Sequence, residues 1–104
     1  MNYKEAKEIV QFHATEGIAY TSRFGKYPNR EDFTKLLEAL EMISGEVSGA
    51  ESIERELVSW LFTISDQVQN NFNGAADKGI ELTTDFSESD VFEINMLMYA
   101  IFEQ

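Results

Sequence analysis

The stretch 48-SGAESIERELVSWLFTISDQVQNNF-72 decides the fold. Within it Ile53, Leu57, Trp60, Leu61, Ile64, Val68 and Phe72 recur at steps of three and four. At about 100° per residue they fill a stripe roughly 120° wide, the pattern of a helix that buries one face. Glu51, Arg55, Asp66 and Gln69 take the other side. Ser48 followed by Glu51 has the spacing of a capping box, and Gly74 supplies a stop. A helix over 49–72 is roughly 36 Å long at 1.5 Å per residue, about the diameter of a small domain. Val58 lies at the edge of the stripe and Phe62 almost opposite its centre, so Phe62 needs a second neighbouring helix or a partner surface.

The same period recurs on both sides of this segment. Toward the N-terminus, Phe33, Leu36, Leu37, Leu40 and Ile43 mark a helix over about 30–44, with Asn29 as its cap and Gly45 as its end. The short link Gly45–Val47 predicts that this helix and the 49–72 helix form an antiparallel hairpin. Further upstream, Tyr3, Ala6, Val10, His13, Gly17, Tyr20 and Phe24 form a seam on a helix over about 3–22 capped by Asn2. Ile9, Ala14 and Ile18 widen that seam, while Phe12 and Ala19 fall on its charged side. Gly17 implies close helix approach or room for an opposing ring. Between these two helices, Arg23–Arg30 reads as a turn with a small basic–aromatic patch of Arg23, Phe24, Lys26, Tyr27 and Arg30.

Downstream, residues 73–87 have turn formers and no clear period, apart from Ile80–Leu82, which could pair briefly as extended chain. The last helix, about 88–103, starts after Ser87 with Asp90 as its reciprocal cap. Val91, Phe92, Ile94, Met96, Leu97, Met98, Tyr99, Ala100, Ile101 and Phe102 then cover every side of its wheel. A helix apolar all round is buried within its fold or against another chain. The expectation is an all-α, antiparallel four-helix bundle-like domain, one unit over 1–104, with helices at about 3–22, 30–44, 49–72 and 88–103 and a long 73–87 loop.

Charge is the strongest compositional signal. Residues 1–35 are net +1, residues 36–104 net −12, and the chain −11. Direct binding to nucleic acid needs clustered Lys and Arg, which this distribution lacks. A basic partner would be attracted and steered, although acidity also serves plain solubility. There is no cysteine, the start MNYKEAKEIV has no apolar signal core, and no apolar run reaches 18 residues. Together these fit a cytoplasmic protein with no membrane span.

Chemistry is sparse. His13 is the one histidine and pairs with Glu16 at His-x-x-Glu spacing, whereas di-iron and zinc sites need more nitrogen or sulfur ligands. His13 also falls inside the apolar seam, where a core histidine with one hydrogen-bond partner is the simpler role. No phosphate, dinucleotide or nucleophile-elbow motif occurs. No catalytic, cofactor-binding or metal-binding residue is assigned, and no cofactor is expected.

The leading expectation is a small acidic helical interaction protein that binds, and so inhibits or neutralises, a basic partner protein. Glu81, Asp85, Glu88, Asp90 and Glu93 would form its contact surface. In size, acidity and helical content the chain resembles toxin-neutralising immunity proteins and phage-encoded inhibitors, a likeness of bulk properties that no motif carries. One alternative is a homodimer with no enzymatic activity, its apolar interface made by Phe12, Phe62, Met96, Tyr99 and Phe102. A second is a metal-dependent enzyme that uses His13.

Overall fold

A computed structural model describes residues 1–81 and 85–102 of the chain. The elements are α1 (Tyr3–Thr15), the single turn α2 (Ile18–Thr21) continuing into a 3-10 turn (Ser22–Phe24), α3 (Arg30–Val47), α4 (Arg55–Gly74) and α5 (Glu88–Phe102). No strand occurs among the described residues. Leu82 and Glu103, expected in a short extended piece and in the last helix, lie outside the described residues.

The fold is an all-α bundle. Successive long helices alternate in direction. Tyr3 lies near Glu46 and Glu54, while the C-terminal end of α1 meets Asp32 at the start of α3. Arg30 meets Asp90 at one end of the bundle, and Val47 meets Ile101 around a cleft at the other. Each of α1 and α5 packs on both α3 and α4, so α1 and α5 sit on one diagonal and α3 and α4 on the other. The expected hairpin of α3 on α4 therefore does not form: these consecutive helices occupy opposite corners. The neighbours are two antiparallel pairs, α1 with α3 and α4 with α5, laid side by side.

The core is the product of the stripes. Val10, Phe33, Leu36, Leu40, Ile43, Leu57, Leu61, Ile64, Val68 and Ile94 are at most 1% exposed, so each helix gives one apolar line to a common interior. At the end where α3 and α5 begin and α4 finishes, four aromatic rings close the bundle. Tyr27 stacks on Phe86 at 3.9 Å between centroids, and Phe33 and Phe72 meet Phe86 edge-on at 5.3 and 5.9 Å. Phe86 comes from the 73–87 connection, which is thus partly core rather than wholly surface.

Four helix boundaries differ from expectation. The simplest is the end of α4, which runs through Gly74 to a cap at Ala75 instead of stopping at Phe72 on a left-handed glycine. The first helix breaks at Gly17: the N–H groups of Glu16 and Gly17 both donate to Phe12 O at 2.8 Å, and the chain restarts at Ile18 in a new direction. A Cβ at Gly17 would lie 2.5 Å from His13 Nδ1 and 2.9 Å from His13 Cα, so only glycine passes this close. The new direction keeps Ile18 buried as expected but also buries Ala19 and exposes Tyr20 and Phe24, which the expected seam had the other way round.

The second helix runs through Gly45 to Val47. Gly45 faces open space, and burial of Val47 one half-turn later offsets its cost of about 1 kcal/mol. Ser48 is consequently the end of α3 and not the cap of the next helix. The chain turns at Gly49, in the left-handed conformation at φ 78°, and α4 starts only at Arg55 after Glu54.

Candidate functional site

The unusual surface lies on α5. Its inner side chains Val91, Ile94, Met98 and Ile101 are buried between α3 and α4. With the core complete on that side, Phe92, Met96, Tyr99 and Phe102 remain outside, and Tyr99 is 64% exposed. They recur at steps of three and four, so they form one row along the helix. On α4, Phe62 is 67% exposed.

The register of the two helices joins these residues into one face. Ser65 Oγ donates to Asn95 Oδ1 at 3.2 Å, and Asn95 Nδ2 donates to Gln69 Oε1 at 3.3 Å. Val58 shares a cleft with Ile101 and Phe102 at the far end. In this antiparallel register Phe62 is level with Tyr99. Of the five apolar residues expected at an interface, Phe62, Met96, Tyr99 and Phe102 share this face, and Phe92 joins them.

Phe12 belongs elsewhere. It is exposed on α1, across the bundle diagonal from α5, so it is separate from that face. The excess of apolar residues on α5 was legible in sequence; which side stays bare depends on the neighbours, and sequence reasoning passed over Phe92.

The acidic residues split likewise. Glu81, Asp85, Glu88 and Glu93 are exposed. Asp90 is not: it is 6% exposed, and its Oδ2 accepts from Arg30 Nη1 and from Ser87 N–H, both at 2.9 Å. Arg30 Nη1 also donates to Asp85 O at 3.1 Å. Asp90 is thus a cap and an anchor for the loop, and its carboxylate is turned inward by those partners rather than offered to a protein surface. Glu88 and Glu93 on α5 and Asp66 on α4 flank the apolar row, while Arg55 is on α4 two turns before Phe62.

A second feature lies between α1, α3 and the 26–28 segment: a cleft of about 630 Å³. Its walls include Ile9, Phe12, Ile18, Tyr27 and Pro28, and His13 lies within it. Ile18 N–H donates to His13 Nδ1 at 3.2 Å, where an uninterrupted helix would use a carbonyl. That bond assigns the neutral ring's proton to Nε2.

Burial lowers the His13 pKa below its usual 6.5, with the Asp32 carboxylate opposing the shift. The sign follows from proton counts: between the depressed folded value and 6.5 the unfolded chain binds more protons, so stability falls as pH drops through that window. Urea midpoints measured from pH 7.5 down to about 5.5 are expected to decline in the wild type and to flatten in His13→Gln. Equal slopes would show that the histidine proton is not the cause.

Among the described residues, no three His, Cys, Asp or Glu side chains group as metal ligands, and no helix is long and apolar enough to cross a membrane. Compared with family models, with curated proteins and with solved structures, the chain finds no match in any of the three.

Proposed function

We propose that the chain is an acidic interaction protein that docks a basic partner protein on the α4–α5 face and acts by occluding it. The observation that supports this reading is the row of Phe92, Met96, Tyr99 and Phe102 left bare beside Phe62, a longer run of exposed apolar side chains than Phe12, Tyr20 and Phe24 make elsewhere. Large aromatic and methionine side chains ringed by polar groups are the composition of an interface centre. Carboxylates around that centre, in a segment, residues 36–104, at net −12, favour a partner of opposite charge and raise its encounter rate.

The same charge weighs against a second copy of this chain. Two molecules of net −11 would bring their acidic margins together across a symmetric contact, at a repulsive cost. Light scattering at micromolar concentration is expected to give the monomer mass of 11.9 kDa. Twice that mass, lost in Tyr99→Ala, would replace the basic partner with a homodimer.

The direct test is capture from an extract of the source cells by immobilised wild type and by a Phe62→Ser/Tyr99→Ser variant, in about 50 and 500 mM salt. A basic protein retained by the wild type, weakened by salt and lost with the variant supports the reading. Tyr99→Ala alone is expected to weaken that complex by about tenfold. Recovery of the same proteins on wild type and variant, or indifference to salt, removes the proposal.

A further inference from the structure

The α1–α3 cleft plays no part in that docking face, and its chemistry is different. We infer that it is a binding site for a small aromatic amine whose ring carries a hydroxyl or other hydrogen-bond acceptor. Its volume of about 630 Å³ falls in the range of small-molecule sites, and its apolar walls with a few polar groups are their usual make-up. Ile9, Ile18 and Pro28 offer apolar surface, and the Phe12 ring stands half exposed at the cleft, edge-on to His13 at 5.2 Å. Phe12 thus leaves a ring face for stacking or for a cation.

The inner polar groups call for an acceptor. Because His13 Nδ1 is taken by Ile18 N–H, Nε2–H is the donor that the ring has left. Tyr27, also a wall of the cleft, has a hydroxyl that is buried with no hydrogen-bond partner. With no accessible surface that hydroxyl is not offered to a ligand as the cleft stands, so His13 Nε2–H is the donor that a ring hydroxyl would meet. Burial moves both groups in the sense that keeps them neutral donors: His13 is lowered, and Tyr27 is pushed up to about 12.

The outer polar groups call for a cation. Glu5, Glu8, Glu16 and Asp32 line the cleft against Lys26 and Lys35, and Lys35 is already paired with Glu31 at 3.6 Å. An ammonium group tethered to the ring meets a net negative margin, and a carboxylate in its place meets repulsion.

Tyramine serves as the probe, with phenethylamine, which lacks the ring hydroxyl, and 3-(4-hydroxyphenyl)propionate, which reverses the charge, as controls. In amide-resolved NMR titrations tyramine is expected to shift Gly17, Ile18 and Tyr27 saturably and to leave Met96 and Tyr99 unmoved. Its affinity is expected to exceed that of the propionate by about tenfold and that of phenethylamine by about threefold. Phe12→Ala, on an exposed position, is expected to retain the wild-type melting curve and bind tyramine about fivefold more weakly. Shifts that fail to saturate overturn the inference, as does equal binding of tyramine and either control. Unchanged affinity in Phe12→Ala does the same.

Discussion

Phe86→Ala is expected to lower the unfolding free energy by about 4 kcal/mol, the scale for emptying a buried phenylalanine site. The ring is 5% exposed and touches three others, stacked on Tyr27 and edge-on to Phe33 and Phe72. These partners come from the 26–29 segment, α3 and α4, so no one of them can collapse into the space alone. The loss also frees the segment that carries Asp85 and Ser87, whose bonds to Arg30 and Asp90 hold the start of α5. For a domain of this size the melting temperature should fall by about 20 °C. A fall of only a few degrees would mean that the rings repack and that the plug does not hold this end together.

Gly17→Val is expected to cost about 3 kcal/mol, the upper end of what overpacking does. The first added atom would meet His13 Nδ1 at 2.5 Å, His13 Cα at 2.9 Å and Phe12 Cε2 at 3.0 Å. The Phe12 ring can swing aside; the His13 backbone cannot. Relief requires α1 and α2 to separate, which breaks the Ile18 N–H bond to His13 and leaves the imidazole buried without it. Urea unfolding measures the effect, and because the imidazole stays buried the Gly17 variant should keep the pH dependence assigned to His13. A variant as stable as wild type would show that the kink at residue 17 yields freely.

The helices were legible because burial writes its period into sequence. Leu57, Leu61, Ile64 and Val68 were read as one line and are one line in the core. The ends were less legible because two signals competed at each. Ser48 with Glu51 offers a cap, but Val47 draws α3 onward and Gly49 turns the chain, so the cap signal goes unused. Gly17 lies at a seam position, and only the third dimension reveals that a histidine nitrogen replaces a carbonyl there.

For the surfaces, Asp90 was indistinguishable from its acidic neighbours because its identity as the buried one depends on Arg30, sixty residues away. Tyr27 and Phe86 were hidden for the same reason: neither belongs to a periodic segment, and their stack is a meeting of two connections. The bare row on α5 required knowing that α1 lies across the diagonal and covers nothing there.

The arrangement of two antiparallel pairs side by side carries one more implication. Residues 1–47 form the first pair and 55–102 the second, and only the 48–54 link joins them. Because α1 and α3 meet α4 and α5 only across the interface of the two pairs, every contact between the halves could equally be made with the other half of a second molecule. Domain swapping is therefore open to this chain without loss of a core contact, and the link alone selects the closed monomer. Residues deleted from 48–54, too few to span the bundle end, would convert it into an exchanged dimer with the same interior.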